Sequence, residues 1–357
     1  MFTAGTAVVA AALLSACSNG VSQGTNAGLP STGGSQSRGL LDPARSGVAP
    51  KFLGMIRHGH AAKHGVRPAF TNHVIYIDDS GNSAADVVKY NHWTDFEGTI
   101  GSGLTGPDGN WVDKPVAGVR HLYIANYSGP NITEYDTAGN LVFTYNANMA
   151  DPVDVTTDKN GNVYEADFNY TVQGGGYVNE YAQQSNTVMA SCSPGGNVEG
   201  VAVDKHGNVF VAYNNLSTDV GSVAEYVGGL VSSGCTATVE PITFGYLGGI
   251  ALDRQGNLVV CDQTGPGFSG SLVDVLAPPY SAITGTLGSG YSDPFHVKVD
   301  MAGTKAYVTD LGAAAVDVLN YPSGSNIATI NSTSTTGVVS PTSAVDEHNM
   351  VVDNQGP

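Results

Sequence analysis

Aspartates recur along this chain at nearly constant spacing, at Asp113, Asp158, Asp204, Asp253, Asp300 and Asp346, with intervals of 45, 46, 49, 47 and 46 residues. The clearest copy begins with Gly200-Val201-Ala202-Val203-Asp204, whose apolar residues alternate as in a short strand, here strand A. Lys205-His206-Gly207-Asn208 follows and supplies turn residues, Gly because it tolerates positive φ. Val209-Phe210-Val211-Ala212 then reads as strand B and Val223-Ala224-Glu225-Tyr226 as strand C, with a more variable strand D to follow. A period of about 40–50 residues with several short strands per copy is the mark of a β-propeller, each repeat being one four-stranded antiparallel blade. The expected fold class is therefore all-β. Asp136-Thr137-Ala138-Gly139-Asn140 shows the same local pattern off the period, so the pattern alone means a turn and the period carries the fold.

Strand C recurs at 87–90, 132–135, 178–181, 223–226, 273–276 and 316–319, but the first copy has no aspartate-bearing A strand before it. Thr342-Ser343-Ala344-Val345-Asp346 is conversely an A strand with no C strand after it. Pairing the two ends completes the first blade and removes a long exposed edge, which gives a six-bladed propeller closed by the C-terminal strand. Residues 349–353 resemble one more B strand; they either add to the closing sheet or mark a seventh blade cut short.

The Pro107-Asp108-Gly109 opening, the Asp-x-x-Gly-Asn turns and the Leu122-Tyr123-Ile124-Ala125-Asn126 strand resemble the NHL and YVTN class of six-bladed propellers, over residues 72–353. That class includes streptogramin lyase, gluconolactonase-like hydrolases, amidating lyases and many proteins that only bind. The resemblance implies a fold and leaves the activity open.

Three segments are expected. Residues 1–17 form a signal peptide: the apolar run 7–14 is too short to span a bilayer but suits a secretory core, and Leu14-Ser15-Ala16-Cys17 resembles a bacterial lipobox. Cys17 would then carry the lipid and become the mature N-terminus, although no Lys or Arg precedes the run. Residues 18–71 read as a flexible tether, first Gly/Ser-rich and then basic, and 72–357 as the propeller. The expected location is extracytoplasmic, on a membrane through the N-terminal lipid only, with the propeller a monomer.

Charge divides along the chain. Up to Phe70 six basic residues face Asp42 alone; the remainder holds 8 basic and 30 acidic residues, a balance of −22 within the total of −17. A field of that sign excludes nucleic acid as a partner. His58, His60 and His64 have a spacing that would suit a transition metal, but with Lys63 and Arg67 beside them they read instead as a solvated basic strip lying on the acidic propeller or near lipid headgroups. Cys192 and Cys235 fall at equivalent outer positions of successive blades, which period counting places too far apart for a disulfide; Cys235 with Cys261 is better placed, and spacing asserts neither.

The repeat is broken at the start of strand A. Four residues before each aspartate stand Gly109, Asp154, Gly200, Gly249, His296 and Thr342. Glycine lets inner strands crowd the axis, so Asp154 and His296 are the exceptions, three blades apart and facing across a six-bladed ring; Glu199 adjoins them. Strand B ends on the same face at Asp79, Asn126, Asp167, Asp262 and Asp310, with Phe168, Tyr170, Tyr177 and Phe268 in nearby loops. An acidic rim with aromatic loops suits a small-molecule, carbohydrate, peptide or protein ligand held by Asp154, Glu199, His296, Asp167, Asp262 and Asp310. The bland reading is that an Asp ending strand B caps a turn. The expected function is thus a lipid-anchored extracytoplasmic binding module. The alternative implied by the resemblance is a metal-dependent lyase or lactone hydrolase, with a divalent cation such as calcium at the central channel on Asp154 and His296. The Glu, Asn, Asn, Asp set of gluconolactonase-like members is not reproduced at the strand-start positions, and only His296 matches the axial histidines of streptogramin lyase.

Overall fold

The computed structural model describes residues 73–113, 119–168, 175–263 and 270–346. The signal peptide with Cys17, the tether with its histidines, Tyr170, Phe268 and residues 349–353 lie outside the described residues.

The chain is all-β, in six four-stranded antiparallel sheets. Blade 1 holds β1 (Val74–Asp79), β2 (Ala84–Lys89) and β3 (His92–Ile100). Blade 2 holds β4 (Pro107–Val112), β5 (His121–Asn126), β6 (Asn131–Asp136) and β7 (Leu141–Tyr145). Blade 3 holds β8 (Pro152–Thr157), β9 (Val163–Asp167), β10 (Tyr177–Tyr181) and β11 (Val188–Cys192). Blade 4 holds β12 (Gly196–Val203), β13 (Val209–Asn215), β14 (Gly221–Tyr226) and the two-residue β15 (Thr238–Val239), preceded by a short helix α1 (Leu230–Ser233). Blade 5 holds β16 (Tyr246–Leu252), β17 (Leu258–Gln263), β18 (Ser271–Leu276) and β19 (Ile283–Tyr291). Blade 6 holds β20 (Pro294–Val299), β21 (Lys305–Asp310), β22 (Ala315–Asn320) and β23 (Asn326–Asn331). The last strand, β24 (Pro341–Asp346), returns to pair antiparallel with β1, so the C-terminal strand is the inner strand of blade 1. The inner strands β24, β4, β8, β12, β16 and β20 each touch the next around the ring.

Why the ring coheres follows from the blade faces. Both faces of each sheet are covered by neighbouring blades, so strands such as β1 and β17 are buried along their whole length. The described residues hold six apolar clusters, one at each blade-to-blade contact. Val74 and Tyr76 of β1 face blade 2, for example, while Ile75 and Ile77 face blade 6. Alternation within one strand therefore feeds two cores.

The recurring aspartates shape the A-to-B turns. Asp204 Oδ1 accepts from His206 N and Asn208 N, both at 2.8 Å, while Gly207 sits at φ 86°. Asp158 and Asp253 repeat the pattern, and the off-period Asp136 makes the same turn between β6 and β7. A carboxylate that takes two backbone N–H groups holds a hairpin without help from the rest of the fold.

One expectation is corrected. Cys192 and Cys235 are disulfide-bonded, with Cα atoms 5.2 Å apart, and Cys261 is the buried free thiol among the described residues. Period counting assumed a regular outer strand in blade 4. There the strand shrinks to two residues, and the segment around α1 leans back over blade 3, burying Leu230 in the cluster between the two blades. Glu180 of β10 accepts from Val231 N at 3.4 Å and ties the same segment.

Candidate functional site

Every inner strand carries a register shift at its start, between Pro107 and Asn110, Pro152 and Asp154, Val198 and Gly200, Leu247 and Ile250, and Pro294 and His296; in blade 1 the shift falls between Asp78 and Asp79, opposite Thr342. Bulges re-aim side chains and bend strands. Six at one level build the mouth of the channel, and the residues that break the repeat sit on them. The glycines are there for space. A Cβ on Gly109 would lie 2.4 Å from Val153 O, and one on Gly249 would lie 2.4 Å from His296 Nδ1.

Asp154 is fully buried, and its carboxylate is met from across the ring. Lys298 Nζ, on β20 of the opposite blade, donates to Asp154 Oδ1 at 2.8 Å. Val155 N donates to the same oxygen at 2.9 Å, and Val201 N of the next blade to Oδ2 at 3.2 Å. The ammonium stands 5.7 Å from the Trp111 ring centroid on β4. Trp111, Thr156, Ala202, Ala251 and Lys298 line a narrow axial cavity with room for about one water molecule. The Lys298–Asp154 pair thus plugs the channel below its mouth.

His296 occupies the layer above Lys298, with Nε2 3.5 Å from Asp108 Oδ1. Glu199 turns towards the next blade, where the Tyr246 hydroxyl donates a short hydrogen bond to its Oε1. Asp78 completes the group: Asn110 donates to it at 3.1 Å and Ser343 donates to Asn110 at 3.0 Å. Burial holds Asp78 well above the usual carboxylate range; the Asn110 hydrogen bond offsets part of this and the nearby Asp108 adds to it. Asp78, Asp108, Asp154, Glu199, His296 and Lys298 are each at most 2 % exposed.

The rim aspartates are placed differently, each in its own blade. Asp167 accepts from Ala150 N and Asp151 N, Asp262 from Gly245 N, and Asp310 from Ser292 N, Asp293 N and Ala313 N. They pin the connections that lead into the inner strands. Burial raises Asp262 to about 6. Phe168 is buried, and Tyr177 opens β10 half-buried. So Asp154 is tied to Lys298 across the ring, His296 lies beside Asp108 and Glu199 is bonded to Tyr246, while Asp167, Asp262 and Asp310 hold backbone amides in their own blades.

Sequence reasoning passed over Lys298, Asp108, Asn110 and Tyr246. Lys298 had a usable signal: two residues before the strand-A aspartates the inner strands carry Trp111, Thr156, Ala202 and Ala251, and Lys298 is the cation in that layer. The donor set for a divalent ion is not assembled: among the described residues no three His, Cys, Asp or Glu side chains are grouped to hold a metal. Asp154 already receives an ammonium and two amides. What the arrangement offers instead is a set of fixed hydrogen-bonding groups beneath an acidic mouth.

No protein-family model matches the chain, and no curated protein matches its sequence. Solved structures do match its fold. A chain of a nidogen/laminin complex superposes with a TM-score of 0.60 at 16% identity, covering 76% of this chain and 97% of that one. Hydrazine synthase of Kuenenia stuttgartiensis gives 0.55 at 12% identity, covering 80% and 92%. A gluconolactonase of Xanthomonas campestris gives 0.50 at 14% identity, covering 66% and 79%. At these identities the likeness is one of architecture, and this chain shares with them the β-propeller fold.

Proposed function

We propose that this protein is a lipid-anchored, extracytoplasmic propeller that binds a carbohydrate, peptide or protein ligand at its channel mouth and does no metal chemistry there. The observation that carries this reading is the buried Lys298–Asp154 pair, which neutralises the carboxylate a channel cation would need. Glu199 and His296 at the mouth, with the rim aspartates around them, are the groups proposed to meet the ligand. The Cys192–Cys235 disulfide supports an oxidising compartment, because such bonds persist outside the cytosol. The lipobox ending in Cys17 supports the anchor.

Metal analysis of the purified chain, paired with binding to immobilised glycans and peptides, tests the proposal. Metal-free protein should bind saturably, and His296→Ala and Glu199→Gln should weaken binding by about tenfold or more in protein that still unfolds cooperatively. Stoichiometric metal that is lost in Asp154→Ala would reject the reading. Incorporation of labelled lipid that survives Cys17→Ser would reject the anchor.

A further inference from the structure

Consecutive blades are joined by the chain itself, but the ring as a whole is closed by hydrogen bonding of β24 to β1. Asp79, the last residue of β1, holds the chain that leads into β24. Its Oδ2 accepts from Val339 N at 2.5 Å and its Oδ1 from Ser340 N at 2.9 Å; Oδ1 also takes Gly81 N at 2.8 Å within its own turn. Asp86 of β2 pairs with Ile77 and so stands diagonally opposite Asp79 on the same sheet face. Both carboxyls are fully buried.

Between them lies the Asn82 amide. Its Nδ2 is 3.2 Å from Asp79 Oδ2, 3.0 and 3.1 Å from the two oxygens of Asp86, and 2.6 Å from Gly337 O. An amide NH₂ has two hydrogens, so it cannot satisfy all these oxygens. Among the described residues no Lys, Arg or His forms an ion pair with either carboxyl. Blade 6 presents Tyr307, Val316 and Val318 to this interface, the seam segment presents Val338, and the further charge acting on Asp86 is Asp78. The equivalent position is also an acid in blades 5 and 6, Asp274 and Asp317, but it is Thr133 in blade 2, Asn179 in blade 3 and Ala224 in blade 4, so the fold accepts an acid here without demanding one; what sets Asp86 apart is the second buried carboxyl of Asp79 beside it.

We propose that Asp79 and Asp86 form a proton-held latch on the seam of the ring. A proton on the Asp86 carboxyl keeps residues 337–340 tied and β24 in place; once it leaves, Asp86 repels the neighbouring Asp79 that holds Val339 and Ser340, and the propeller opens first at this seam. Burial, and then the neighbouring Asp79, raise Asp86 to about 9. An acid held above its ordinary range contributes stability that is whole below that range, near pH 4, and is lost as pH rises towards about 9.

Amide exchange on the full chain, expressed as protection factors between about pH 6 and about pH 10, is the test. Val339, Ser340 and β24 should lose protection above about pH 8 while β8 and β12 keep theirs, and Asp86→Asn should abolish the loss. The same variant should melt at least about 3 °C above the wild type near pH 9 and level with it near pH 4. Asp86→Thr, the blade 2 residue, serves as the second variant if the first misfolds. A wild-type loss that persists in the folded variants, or a loss of protection in all inner strands together, overturns the latch.

Discussion

A buried lysine that reaches across the axis to a buried aspartate has one consequence that can be measured directly. Lys298→Met leaves Asp154 charged and without its cation, and should cost about 3–5 kcal/mol in urea denaturation. Asp154→Asn should cost a similar amount, because it leaves the Lys298 ammonium buried without its counter-charge. Glu165 on β9 is a second residue-scale case. It is fully buried, receives Asn179 Nδ2 at 2.7 Å on one oxygen, and among the described residues has no partner on the other. Its counterparts in other blades are Ile77, Ile124, Val260 and Val308. Burial keeps its carboxyl well above the ordinary range, so keeping it neutral weakens the fold progressively as pH rises. Glu165→Gln should therefore gain at least about 1 kcal/mol near pH 8 and nothing near pH 4, read from denaturation midpoints at the two values. A break in the repeat was visible at Asp154 because every other blade supplied a comparison. Its partner was not visible, since reach across a ring depends on a diameter that no local pattern encodes.

Strands and turns were the legible level. The Asp-Gly-Asn turns form as expected because their hydrogen bonds lie within about five residues of one another, and local geometry is enough. The bulges at the mouth were not legible, although the glycines that accompany them were. Gly109→Ala should destabilise by about 1–3 kcal/mol, since its Cβ would meet Val153 O and the Asp154 backbone rather than a movable side-chain tip. The disulfide shows the opposite limit. Cys192 and Cys235 are 43 residues apart and are brought together only because α1 displaces the outer strand of blade 4. Cys235→Ser should lower stability by about 2–4 kcal/mol under oxidising conditions, and the difference from wild type should vanish in reductant.

Over the whole molecule, acidity without matching cations sets the response to solvent. The chain carries a net charge of −17, and burial raises Asp113 and Asp262 to about 6 as well as Asp86 to about 9. Each is an acid raised in the folded state, so each contributes stability at low pH that is lost as pH rises through these values. The melting temperature should therefore decline from about pH 5 to about pH 9, and moderate salt should lessen the decline by screening the remaining negative charge. A melting temperature that rises across that window would contradict this account. Blade order and the closing role of the C-terminal strand follow from the sequence alone, because period and turn chemistry are repeated local properties; six blades was the expected number with a seventh cut short left open, and the described residues form six sheets. The tertiary structure alone decided that Lys298 neutralises Asp154, that Asp79 faces Asp86 at the seam, and that two distant cysteines join. The first depends on the diameter of the closed ring, the second on the return of residues 337–340 to blade 1 beside the β1–β2 register, and the third on α1 lying over blade 3; none is a property of a single repeat read by itself.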